Sequence, residues 1–275
     1  MKKYLFILSL TSLITYLKPT EQTWVAIGDS ITYLNDHQEE TGNRVTSGYL
    51  SRVVAQLPTI KYINKGYNGW TSGAVAERIN NLRIPPADIY TIFLGTNDWW
   101  AGRPIGHKSD YVEAKGNISL YGSYRIIIDK LRSINPQAKI ILITPMQRAD
   151  FVYIADPANN AYGSYKAKAG QHLEDFAAAI KEIGRMEKLH VIDLYHDRSL
   201  RLSKLIKFKK LRVPGSHDYK NYPLKASFKI PFHPGTDDYP YPPEAMAMTY
   251  DGLHPSDEGN AVIAKRIVAV FKSMK

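Results

Sequence analysis

The stretch VAIGDSIT, residues 25–32, is an apolar run that stops abruptly at Gly28-Asp29-Ser30. A run of this kind reads as a buried strand, and the Gly-Asp-Ser cluster as the turn that ends it. Either Ser30 merely opens a loop, or the strand exists to present its hydroxyl. The sequence on either side decides between the two.

Outward from that stretch, short β-rich runs alternate with amphipathic helices. TWVAI (23–27) is predicted as a strand, YLSRVVAQL (49–57) as a helix, IKYIN (60–64) as a strand and SGAVAERINNL (72–82) as a helix. DIYTIFL (88–94) follows as a strand. LYGSYRIIIDKLRSI (120–134) is a helix stopped by Asn135-Pro136. KIILIT (139–144) is a strand, LEDFAAAIKEIGRMEK (173–188) a helix and HVIDLY (190–195) a strand. SDEGNAVIAKRIVAVFKSM (256–274) closes the chain as a helix. Ser256 is its expected N-cap, with Asp257 and Glu258 in the first turn, where the macrodipole favours them. This alternation predicts an α/β protein: a five-stranded, mainly parallel sheet with helices on both faces. In such sheets, sites lie outside the carboxyl ends of the strands.

The composition, 44% hydrophobic and 23% charged over 275 residues, is enough for one large core, and no linker or internal repeat divides residues 21–275. Residues 1–20 read differently. Lys2 and Lys3 precede an apolar run from Tyr4 to Leu17, too short for the ~20 residues of a membrane span but suited to a secretory leader. An exported protein is therefore expected, although Leu17-Lys18-Pro19 is a poor cleavage site. The absence of Cys excludes disulfides, thiol catalysis, Cys-ligated zinc and lipidation through cysteine. The net charge of +10 includes six basic residues in RLSKLIKFKKLR (201–212), read as the solvated face of a helix rather than a nucleic-acid patch. Residues 145–170 and 196–248 break the alternation and form two insertions. Loops of this length either wall a site or only pack, and the sequence leaves both open.

Four clusters stand at the predicted edge. Gly28-Asp29-Ser30 follows the first strand. NKGYNGW, with Gly66 and Gly69, follows the second, and Gly95-Thr96-Asn97-Asp98 the third. Asp251-Gly252-Leu253-His254 precedes the last helix. The chemistry accounts for these residue types. A serine hydroxyl needs an adjacent base. Histidine, with an ordinary pKa of about 6.5, suits that role. Asp251 can reach the second ring nitrogen of His254 and fix its tautomer. Gly66, Asn97 and the Ser30 N–H are candidate donors to an oxyanion, Gly66 because a backbone without a side chain can come close.

With these four blocks the chain resembles the SGNH (GDSL-type) hydrolases, a family named for Ser, Gly, Asn and His. GDSIT carries Ser30, NKGYNG carries Gly66, GTND carries Asn97, and DGLH carries Asp251 and His254. The resemblance runs from about residue 23 to the C-terminus. It implies a flavodoxin-like three-layer α/β/α sandwich and ester hydrolysis through an acyl-enzyme. The G-x-S-x-G elbow of the α/β-hydrolases is absent.

Asp29 and Asp98 are expected to brace loop backbone rather than react. Trp70, Trp99 and Trp100, beside two of the blocks, and Tyr239 and Tyr241, in the second insertion, are candidate substrate contacts, since aromatic faces stack on sugar rings. One member of the Trp99-Trp100 pair facing the cleft would suffice. His37, His107, His172, His190, His196, His217 and His233 show no metal-ligand spacing. His217 and His233 with Asp218, Asp237 and Asp238 read as a solvated loop, so no metal is expected. No P-loop or dinucleotide fingerprint is present, and no cofactor is expected.

The expected protein is thus a serine esterase acting on a small-molecule or glycan ester, the acyl group short and the alcohol a carbohydrate. A lysophospholipase, thioesterase or acyltransferase would use the same chemistry. A non-catalytic binder of glycans or membranes would explain the basic run but would have no need of the four blocks.

Overall fold

The computed structural model describes residues 20–274, so the segment read as a leader lies, apart from Thr20, outside the described residues. In chain order the elements are β1 (Gln22–Gly28), α1 (Ser30–Tyr33), α2 (Tyr49–Gln56), β2 (Ile60–Gly66), α3 (Ser72–Arg78), β3 (Ile89–Phe93), α4 (Thr96–Trp100), α5 (Lys108–Val112), α6 (Leu120–Ile134), β4 (Lys139–Ile143), β5 (Phe151–Val152), β6 (Asn160–Ala161), α7 (Leu173–Glu187), β7 (His190–Ile192), α8 (Leu202–Leu205), β8 (Lys209–Arg212), β9 (Tyr219–Tyr222), α9 (Leu224–Ser227) and α10 (Asp257–Ser273).

Five strands form one sheet in the order β2-β1-β3-β4-β7. Every neighbouring pair in it is parallel, as the alternation of strands and helices predicts. Side chains alternate across a strand, and β1 shows what that does. Trp24 and Ala26 enter one core with Tyr49, Leu50 and Val53 of α2 and Ile263, Ile267 and Phe271 of α10. Val25 and Ile27 enter the other, with Val75 of α3, Ile127 and Leu131 of α6, and Phe176 and Ile180 of α7. The result is the three-layer sandwich with flavodoxin-like strand order. At about 25 cal/mol per Å² of apolar surface, a sheet covered on both faces is the main source of stability. Among the described residues no helix is long and apolar enough to cross a membrane.

The insertions fold against each other. The first makes the antiparallel pair β5–β6, the second the pair β8–β9. The basic run 201–212 is not a single helix. Only Leu202–Leu205 is helical, and Lys209–Arg212 is strand. The period is therefore two rather than 3.6 at its end, and Lys209 shares the inward face with Leu211, the two being 3% and 0% exposed. Lys209 Nζ meets Asp150 Oδ2 at 3.0 Å. Asp150 also accepts from the Tyr165 hydroxyl at 2.7 Å and from Gly163 N–H at 2.8 Å. One partly buried carboxylate thus joins the two insertions.

Candidate active site

β1 ends at Gly28, and Asp29 becomes the N-cap of α1, its Oδ1 accepting from Ile31 N–H at 3.0 Å. Ser30 is thereby the first residue of α1, and the expected bracing role of Asp29 is what the geometry contains. Burial pushes the Asp29 carboxyl up to about 6.

His254 comes from the turn before α10. Its Nε2 lies 2.9 Å from Ser30 Oγ, and its Nδ1 lies 2.6 Å from Asp251 Oδ2. A carboxylate only accepts, so Nδ1 carries the proton and Nε2 is left to accept from the serine hydroxyl. Asp251 is fully buried, and its Oδ1 takes the N–H groups of Leu253 and His254 at 3.0 and 2.7 Å. The turn is anchored to the first insertion: Ala149 N–H donates to Gly252 O at 2.8 Å and Val152 N–H to Asp251 O at 3.2 Å. Gly252, at φ +90°, has no room for a Cβ against the Asp150 carbonyl. The Phe151 ring meets the imidazole edge-on at 5.4 Å, and Tyr250 stacks on it at 5.9 Å.

These groups open on a cavity of about 400 Å³ lined by Ser30, Asn97, Gly69, Trp100, Arg148 and His254, among others. Asn97 donates one amide hydrogen to Trp70 O at 3.1 Å, which leaves the second for the cavity. Neither the Ser30 N–H nor the Gly69 N–H has a protein acceptor among the described residues. Gly66 is not where the sequence reading puts it. It is the last residue of β2, paired with Gly28, and its N–H donates to Asn64 Oδ1 at 2.8 Å. Its missing side chain does permit a close approach, but of the α1 backbone at Thr32 and Tyr33, where a Cβ would overlap. Gly69, at φ +72° with open space before it, is the glycine of this block that faces the cavity. The available signal was its position just before the Thr71 cap of α3, where backbone N–H groups turn outward.

Asp98 is fully buried, accepts from Ser72 N–H and Oγ at 2.8 and 2.7 Å, and lies 3.4 Å from Arg103 Nε. It braces the start of α3 against α4, and burial raises its carboxyl.

Of the candidate aromatic contacts, Trp100 alone lines the cavity. Trp99 is fully buried in the α6–α7 core, with its indole N–H on Gln171 O at 3.1 Å. Adjacent helical residues point about 100° apart, so one of the pair turns inward. Trp70 stacks on Tyr67 at 4.3 Å and contributes its carbonyl to Asn97 rather than a ring to the cavity. Tyr239 and Tyr241 are structural: their hydroxyls donate to Val152 O (2.9 Å) and to Asp150 O. The aromatic walls that the sequence reading missed are Phe151, Tyr153 and Tyr250. The first two belong to the first insertion, which therefore walls the site.

The carboxylates near His217 and His233 are committed elsewhere: Asp237 pairs with Arg212 at 3.1 Å, Asp238 with Lys210 at 3.5 Å, and Asp218 accepts from Ser216 at 2.9 Å. His37, Glu39 and Glu40, which the spacing did not single out, bring ligand-type atoms within 4.8 Å of one another. Their proximity follows from local hydrogen bonds, His37 to Glu39 at 3.2 Å and Tyr33 to Glu40 at 2.7 Å.

A hydroxyl held by an imidazole, itself held by a carboxylate, at the carboxyl edge of a flavodoxin-like sheet is the equipment of a carboxylic ester hydrolase. Comparison with known proteins narrows the class. The chain belongs to the GDSL-like lipase/acylhydrolase family, whose profile matches residues 26–262. A solved structure described as a possible lipase from Chitinophaga pinensis is 59% identical, with a TM-score of 0.91, covering 92% of this chain and 99% of that one. An acetyl xylan esterase is 18% identical at a TM-score of 0.53, covering 90% of this chain and 98% of that one. A variant of an acetyl-xylooligosaccharide esterase from Geobacillus is also 18% identical, at a TM-score of 0.52, with 92% and 95% covered. At that identity the last two share the fold alone. No curated protein matches the chain.

Proposed function

We propose that the protein is an exported esterase that removes short acyl groups, acetyl above all, from carbohydrate, with Ser30 as nucleophile, His254 as base and Asp251 as its orienting partner. Ser30 Oγ attacks the ester carbonyl carbon and gives its proton to His254 Nε2. The carbonyl oxygen becomes an oxyanion, received by the N–H groups of Ser30 and Gly69 and the Asn97 amide. The C–O bond then breaks and the alcohol leaves with the proton from His254. Water, deprotonated by the same nitrogen, attacks the acyl-enzyme and releases the acid, and the proton returns to Ser30.

The observation that carries the reading is the continuous chain of contacts from Ser30 through His254 to Asp251 opening on the cavity. Support for a sugar comes from the walls. Trp100, Phe151, Tyr153 and Tyr250 supply faces, while Asn68, Asn159 and Glu40 supply hydrogen-bonding groups between them. The lysine-flanked apolar run of residues 2–17 supports export. The deciding assay sets acetylated oligosaccharides against p-nitrophenyl esters of rising chain length, with Ser30→Ala as the blank. Peak rates on acetyl esters support the reading, and a rate that climbs steadily with acyl length favours a lipid substrate instead. N-terminal sequencing of the protein recovered from outside the cytoplasm tests the leader.

A further inference from the structure

The cavity contains a cation that neither the fold nor the ester chemistry described above uses. Arg148 stands in the loop after β4 and is 2% exposed. Its Nε and Nη2 are buried with no hydrogen-bond partner. The buried Lys209, by contrast, has Asp150 at 3.0 Å, and the half-buried Arg103 has Asp98 at 3.4 Å. The Arg148 guanidinium forms no ion pair among the described residues. The nearby acids are committed elsewhere, Asp251 to His254 at 2.6 Å and Asp150 to Lys209, Tyr165 and Gly163.

The guanidinium carbon lies 5.4 Å from the ring centroids of both Trp99 and Trp100. Aromatic faces hold the cation through its flat side and leave its N–H edge for an in-plane acceptor. Burial lowers its pKa to about 10, so it remains charged at neutral pH. A buried charge with no partner is strongly unfavourable, and a planar fork of donors fits a carboxylate two bonds at a time. Arg148 lines the same cavity as Ser30, Asn97 and His254. Lys168 Nζ, 4.4 Å from the Trp100 centroid, adds positive charge to this wall. Glu40, the one carboxylate among the described lining residues, is bonded to Tyr33 at 2.7 Å and Asn68 at 3.4 Å.

We propose that Arg148 is the receptor for a carboxylate carried by the substrate, so that the preferred ester is an acidic one, such as an O-acetylated uronate. The proposal deepens the esterase reading and rests on it. The carboxylate enters beside the Trp100 ring, meets the guanidinium where it faces the cavity, and positions the ester over Ser30. Arg148 is then a specificity-determining residue, absent from the four sequence blocks because its task concerns the substrate rather than the acyl transfer.

The test is a pair of substrates that differ in charge alone: an O-acetylated glucuronoside and its carboxamide. In the wild-type protein kcat/KM for the acid exceeds that for the amide by roughly 10- to 100-fold, the usual gain from a charge-assisted pair. In Arg148→Gln the ratio falls to near one, and in Arg148→Lys it is intermediate, because a point charge lacks the fork. The ratio cancels any general loss of activity in a variant. A wild-type ratio of one or less, or an unchanged ratio in Arg148→Gln, overturns the proposal. A calorimetric titration of Ser30→Ala with glucuronate and glucuronamide needs no Arg148 variant and no turnover. Tighter binding of the acid by tenfold or more supports the receptor, and equal binding overturns it. The esterase reading fails separately, if p-nitrophenyl acetate is hydrolysed no faster by wild type than by Ser30→Ala.

Discussion

The imidazole Nε2 of His254 stands 2.9 Å from the hydroxyl of Ser30, although 224 residues separate them in the chain. The contact brings the end of β1 to the turn before α10, and α10 is itself fixed to α2 by Asp257, which meets Arg52 at 2.5 Å and Thr46 N–H at 3.0 Å. Ser30→Ala removes the nucleophile and nothing that holds the fold, since the recorded partner of the hydroxyl is His254. The expected outcome is a kcat loss of roughly 10³-fold or more with an unchanged unfolding midpoint. Retained turnover in the purified variant would remove Ser30 from the mechanism.

Asp251→Asn tests the tautomer. The amide oxygen can still accept from Leu253 and His254 N–H, so the turn survives, but an NH₂ facing Nδ1 drives the proton to Nε2. The base then cannot accept, and kcat falls by roughly 10³- to 10⁴-fold. A kcat within tenfold of wild type in the Asn variant would count against His254 as the base that Asp251 orients.

Gly66 and Asn97 separate structure from chemistry. Gly66→Ala drives a methyl into the α1 backbone and should lower stability by about 2 kcal/mol or more, read from denaturant unfolding. Asn97→Ala removes a donor to the oxyanion and should lower kcat by roughly 10²-fold while leaving KM nearly constant. If Gly66→Ala folds as well as wild type and loses kcat alone, the assignment of Gly69 as the cavity donor is wrong.

What the sequence made legible follows from periodicity. The helix over 120–134 and the strand begun at Lys139 sit where their patterns put them, because the helix packs an apolar stripe on the sheet and the strand, which ends at Ile143, is buried on both faces. Ser30 and Asn97 were legible because a parallel sheet places every strand's end on one edge, and His254 because Asp251 stands three residues before it in the turn that opens the last helix. Gly66 misled because strand β2 runs two residues beyond its apolar pattern, and position within NKGYNG cannot be told without that register. Lys209 was hidden for a similar reason: KFKKLR looks solvated until alternation in β8 turns one lysine inward. Phe151, Tyr153 and Arg148 were not legible, since an aperiodic insertion gives no sign of which side chains it points at the cavity.

The Lys209–Asp150 pair should behave as a buried ion pair whose halves are costly to separate. Lys209→Met leaves Asp150 with two neutral donors, Tyr165 and Gly163, and an uncompensated charge. The expected loss is about 3 kcal/mol, and the double variant with Asp150→Asn should recover part of it. Because the Asp150 carbonyl abuts Gly252 in the catalytic turn, the single variant should also lose activity, although Lys209 does not line the cavity. Full activity and full stability in Lys209→Met would mean that the insertions do not support the turn.

Asp29 predicts a pH dependence of stability with a definite sign. Its carboxyl moves from about 3.8 to about 6 on folding, because burial penalises the ion more than the Ile31 N–H and nearby His254 favour it. Between those values the folded chain binds more protons than the unfolded one, so this group's contribution falls as pH rises through the window. Its stabilising contribution is fully present below about 3.8 and lost above about 6, a difference on the order of 3 kcal/mol. Asparagine keeps an oxygen for Ile31 N–H and carries no charge to desolvate. Asp29→Asn should therefore be more stable than wild type at pH 7 to 8, and the advantage should shrink toward zero as the pH is lowered through 6 to about 4. The relevant quantity is the difference between the two proteins at each pH. Other carboxylates, such as Asp197 paired with Arg266 at 2.6 Å, are held low and weaken the fold on acidification in both alike. A variant less stable than wild type at pH 8, with a deficit that closes on acidification, would show that the Asp29 ion is favoured in the fold and that its capping bond outweighs its burial.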